Sequence, residues 1–252
     1  MKLRGVARAG NPAIEIATRE TIAELRQTWR HRGVVAAMAT PLGIGLVALA
    51  VAKAYRQTSI EQTFAVAAIL DVIVVSLVVA CLGAARDRQS RNIVVKRLSP
   101  MPDVAYVVAK LVAATSAAVL VWLLLAVAAA AAGARPTAIA WWSLAAVAVA
   151  ASVASGLIGL ALGLWTNPQR AAATVGAILI TFAVFGIAGL LGVSSRLATL
   201  RFLSPLYTLV TLGLALARGD PSPQVDFDAL ALAVTTLIAA VFVVVGIRRA
   251  SS

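Results

Sequence analysis

Apolar runs about as long as a bilayer is thick recur six times in this chain, and no other feature constrains its fold as strongly. A helix rises about 1.5 Å per residue, so ~20 apolar residues cross a hydrocarbon core of about 30 Å. Runs of that order occupy 33–54, 63–84, 104–132, 138–165, 171–193 and 229–247. The chain is 61% hydrophobic and 13% charged, with a mean hydropathy of +0.94, whereas soluble domains carry about 25% charged residues. The sequence therefore predicts an all-α membrane protein. Residues 1–32 form a cytoplasmic tail with an amphipathic interfacial helix, and residues 33–252 a six-helix transmembrane domain.

A net charge of +12 would suggest nucleic acid in a soluble chain. In a membrane chain, Lys and Arg collect in cytoplasmic loops, and no nucleic-acid partner is expected. With the N-terminus inside, fifteen Lys and Arg fall on the cytoplasmic side and six outside, while Lys110 lies within the third run. Both termini are thus expected in the cytoplasm, with the chain multi-pass in the plasma membrane. The apolar segment LATLRFLSPLYTLVTLGLALARGD (197–220) is broken by Arg201 and Pro205. A seventh span there would place Arg248 and Arg249 outside, so the segment is expected as a re-entrant or interfacial element on the outer face.

Residues 11–32, NPAIEIATRETIAELRQTWRHR, have the period of a helix that lies on a membrane and does not cross it. At about 100° per residue, Ile14, Ile22, Leu25 and Trp29 share one face, with arginines on one flank and Glu20 and Glu24 on the other. Such a helix sits at headgroup level on membrane lipid; a soluble tail helix is the other reading.

Between the second and third runs stands RQSRNIVVKRLSPMPDVAYVVAK (88–110). Ile93, Val94, Val95 and Leu98 make a short apolar patch, with Arg91, Lys96 and Arg97 around it. Pro100 ends that helix, because proline disfavours helical geometry in the residue before it, and Asp103 can cap the next one. A bare topogenic loop needs no apolar patch, so this segment reads as a docking element. The same tract resembles the permease subunits of type-2 ABC exporters, including bacterial multidrug and antibiotic efflux permeases. In that family a proline ends the cytoplasmic helix, and a tyrosine and then a lysine follow in the next span. Pro100, Tyr106 and Lys110 match those positions. Glu24-Leu25-Arg26 and FLSPLYTL resemble the family's connecting helix and the element before its last span, whereas Arg91-Asn92 replaces its Gly-Thr.

The resemblance implies that residues 91–100 are a coupling helix seated in a separate ATP-binding subunit. It implies two copies of that subunit, carrying ATP and magnesium, and a second permease, identical or related. The expected cargo is a hydrophobic or amphiphilic compound, drug or lipid. The chain itself shows no GxxxxGK[ST] phosphate loop, and no catalytic, cofactor or metal residue is expected in it. Asp71, deep in the second run, is costly in lipid and is expected to face the interior. It is either a contact on the substrate pathway or a structural hydrogen-bonding group. Lys110 is expected to snorkel toward the inner surface. Two alternatives remain: a proton-coupled secondary transporter, which usually shows internal repeats, and a membrane anchor or assembly protein. The latter would need neither docking patch nor intramembrane acid.

Overall fold

A computed structural model of the chain describes residues 12–30, 32–55, 60–90, 103–135, 138–166, 170, 175 and 223–250. The regular structure among them is entirely helical: α1 (Pro12–Arg30), α2 (Arg32–Tyr55), α3 (Ile60–Gln89), α4 (Asp103–Ala132), α5 (Ala138–Trp165) and α6 (Pro223–Ala250). Among the described residues, four segments are long and apolar enough to cross a membrane: Val34–Ala54, Thr63–Gln89, Asp103–Ala132 and Trp141–Trp165. The expected coupling residues Arg91, Ile93, Val94, Val95, Lys96, Arg97, Leu98 and Pro100 lie outside the described residues. So do nearly all of the expected fifth span and the whole element at 197–220.

Helix α3 is the axis of the bundle. Helices α2, α4 and α5 pack against it, α6 packs on α5, and α1 lies on α4. Apolar residues surround α3 on all sides, which suits a helix buried by its neighbours; Phe64, Ile69, Val72, Val75 and Leu77 are all essentially inaccessible. The outer helices keep large apolar side chains exposed, among them Ile44, Val47, Val127, Leu237 and Val241. A continuous apolar exterior of this kind belongs against lipid.

Small residues decide how closely α5 approaches α3. A Cβ placed on Gly159 would overlap the Leu77 carbonyl oxygen, and one on Gly163 would overlap that of Cys81. Each glycine thus meets a carbonyl one turn further along, and the two helices run in the same direction. Ser155 donates to the Ala151 carbonyl at 2.6 Å, which leaves Ser76 to donate across the seam to the Ser155 hydroxyl. Ser152 in turn donates to Thr115 on α4 at 2.8 Å. The glycine and serine stripe of the fourth apolar run therefore packs within the chain.

One end of the bundle is closed by an aromatic cluster. Phe64 lies 5.1 Å from Trp141 and 6.2 Å from Trp122 between ring centroids. Nearby, α4 stops at Gly133, whose φ of +107° only glycine adopts without strain. The amides of Gly133 and Ala134 return to the carbonyls of Ala130 and Ala129, satisfying the last turn in a Schellman cap.

Candidate functional site

At the opposite end, where the chain leaves α3 and returns in α4, charges converge inside the protein. Helix α1 turns polar side chains inward there. Glu24 and Thr28, one turn apart, are buried, while Ile22 and Trp29 remain exposed and Leu25 is half-buried. The side chain of Ile14 lies outside the described residues. Lys110, two turns into α4, reaches Glu24 Oε1 with its ammonium at 2.5 Å. The same nitrogen is 2.8 Å from Asp87 Oδ2, in the last turn of α3. Asp87 Oδ2 has no aligned hydrogen-bond donor among the described residues, so this second contact is ionic in character. Lys110 is 4% exposed and Asp87 1%.

The expectation that Lys110 would snorkel is therefore corrected. Two carboxylates converge on it within the protein, and a lysine extended to the headgroups would abandon both. An ion without partners is far costlier to bury than a paired one. Gly83 makes room for the arrangement: a Cβ there would stand 3.3 Å from the ammonium. The ring of Tyr106, one turn before Lys110, has its centroid 5.7 Å from that nitrogen, and its buried hydroxyl adjoins Asp87. A cleft of about 260 Å³ opens beside the cluster, lined by Glu24, Thr28, Val34, Gly83, Arg86 and Gln89 among others. Arg88, next in sequence to Asp87, donates to the Leu164 and Thr166 carbonyls at 3.1 Å each. A cation at those orphan carbonyls complements the end of α5.

Asp71 lies elsewhere on α3 and is 5% exposed. It faces α2 where Gly45 lets that helix come close: a Cβ on Gly45 would stand 2.7 Å from Asp71 Oδ2 and 2.9 Å from Leu125. Asp71 Oδ2 has no hydrogen-bond partner among the described residues. The structure thus places Asp71 in a tight seam between α2, α3 and α4, apart from the Lys110 cluster.

Sequence reasoning named Glu24 and Lys110 separately and missed that they meet, with Asp87, in one cluster. One signal was available. A lysine inside an apolar run calls for a carboxylate partner, and Asp87 and Glu24 are among the acids in the flanking polar stretches on the same side, with Glu15, Glu20 and Asp103.

Residues 20–187, two-thirds of the chain, match the model of the ABC-2 type transporter family. The chain belongs to that family. The match spans Glu24, Asp71, Asp87 and Lys110. No curated protein matches the chain. As an ABC-2 membrane domain it is a multi-pass transport component and not itself an ATPase, and such permeases normally work with an ATP-binding subunit.

Proposed function

We infer that this ABC-2 permease is the membrane half of an ATP-driven exporter in the plasma membrane. It moves a hydrophobic or amphiphilic compound, an antibiotic or a lipid, out of the cytoplasm or inner leaflet. Six spans follow from the six apolar runs, and cytoplasmic termini from the Lys and Arg asymmetry. Two copies of an ATP-binding subunit supply ATP and magnesium, and a second permease, identical or related, completes the pathway. Residues 91–100 form the docking element. Ile93, Val94, Val95 and Leu98 are its apolar anchors, while Arg91, Lys96 and Arg97 steer at the rim and Pro100 ends the helix. Asp71, buried with one oxygen unpaired among the described residues, is the group on the permease interior suited to a polar or cationic part of the cargo.

The family match carries this reading. The double variant Val94→Asp, Leu98→Asp tests it in the reconstituted complex. Charges in a buried anchor should abolish transport while ATP hydrolysis continues. Transport that stays tied to hydrolysis in this variant would remove residues 91–100 from the coupling role.

A further inference from the structure

Segment 91–102 leaves α3 just after Ser90 and re-enters at Asp103. Asp87 and Lys110 stand on the two helices that flank it, and their contact at 2.8 Å ties those helices together near its two ends. Glu24 adds a third element, since its contact with the same ammonium ties α1 to α4. Helix α1 otherwise keeps Ile22 and Trp29 exposed, so little apolar burial on those positions holds it to the bundle. The described grip on α1 at this end is largely polar.

Buried ion pairs differ from apolar contacts in what they allow. Apolar contacts are individually small, so the loss of a few is spread over many others, whereas charges out of water lose much of their compensation as soon as they part. A helix held by such a pair therefore follows its partner or breaks from it, with little in between.

We propose that Glu24, Asp87 and Lys110 are positioning residues, an ionic clasp that makes α1 and both ends of segment 91–102 move as one body. The proposal rests on the exporter reading for its purpose, because the clasp would deliver a push on that segment to α1, α3 and α4 together. Its geometry stands without that reading.

Glu24→Gln is the decisive variant. It removes the charge that holds α1 yet leaves Lys110 paired with Asp87, one cation with one carboxylate, so the site keeps its balance. In the full-length chain with Cys81→Ala, spin labels at the exposed positions Gln27 and Val108 report the α1–α4 distance. The parent should give a narrow distribution and Glu24→Gln a broad one. With its ATP-binding subunit, Glu24→Gln should still assemble and hydrolyse ATP. Transport per ATP should fall at least about fivefold, the low end of ordinary coupling between sites.

A second variant, Glu24→Gln with Asp87→Asn and Lys110→Met, keeps the side-chain volumes and removes every charge; it should behave the same way or more strongly. An unchanged distance distribution in both variants, or a broadened one with the parental transport per ATP, overturns the clasp. Loss of hydrolysis and transport in proportion to lost assembly would make the three residues merely structural. Failure of the parent chain to associate with any ATP-binding subunit would instead sink the exporter reading, while the label distances still judge the clasp.

Discussion

Helix α3 is held by α5 along its length and by α1 and α4 at its end, and the two junctions are made of opposite materials. Along α5, Ser155 meets the Ser76 hydroxyl and the glycines face the α3 backbone, and the fit of Gly159 to Leu77 and Gly163 to Cys81 sets the spacing. At the end, one ammonium gathers two carboxylates from two other helices. The first junction gains from many weak contacts, none of them indispensable in sign. The second depends on a charge balance that fails when its one cation is lost. A seam of the first kind suits a rigid scaffold, because small side chains on both surfaces leave no alternative packing nearby. A charge junction suits a place where parts must move together or release together.

Lys110→Met should produce the largest effect, because it strands Glu24 and Asp87 together with no cation between them. Removing one partner of a buried ion pair costs ~3–5 kcal/mol. Unfolding of the purified chain in detergent, followed by loss of helicity against denaturant, reads that cost directly. Adding Glu24→Gln and Asp87→Asn to the same chain should recover most of it, since neutral groups need no counterion. A single variant as stable as the parent would erase the contrast between the two junctions.

Gly159→Val should come next. The new side chain would overlap a backbone carbonyl that belongs to a helix packed on several sides, so relief requires α3 or α5 to shift as a body. Overpacking of this kind costs ~1–3 kcal/mol. The same denaturant titration measures it, and no companion substitution on α3 should rescue it, because the obstacle is the Leu77 main chain. Recovery by trimming a neighbouring side chain would show that the seam is softer than its geometry indicates.

These two junctions also separate what the sequence reveals from what it conceals. Apolar length and small-residue spacing are local properties, so the helical class and the packing stripe of Ser152, Ser155, Gly159 and Gly163 were readable along a single helix. Asp71 stood out for the same reason, as an acid in an otherwise apolar run. The clasp is not local. Its members are separated by 63 and 23 residues in order along the chain, and whether Glu24 faces inward depends on how α1 rolls against α4. Helical periodicity placed Glu24 on a flank of α1, beside an apolar face that includes the exposed Ile22 and Trp29. Charge at the third span made Lys110 conspicuous, but its direction followed from partners that only tertiary packing assembles.

Ser76→Ala should have the smallest effect, and its smallness is informative. Ser76 gives its proton to Ser155 in the middle of the α3–α5 seam, and both hydroxyls are buried. In a soluble core the loss of such a bond would leave Ser155 short of a donor. Here Ser155 keeps its own bond to the Ala151 carbonyl and lacks only an incoming proton. Interhelical hydrogen bonds within membranes average ~0.6 kcal/mol, because the separated helices also find partners for their hydroxyls. The methyl of alanine fits where the serine stood, so shape is preserved. A shift near ~0.6 kcal/mol in the denaturant titration therefore assigns the seam to packing. A loss approaching that of Lys110→Met would mean that polarity, and not close fit, holds α5 to α3, and that both junctions of α3 depend on the same kind of force.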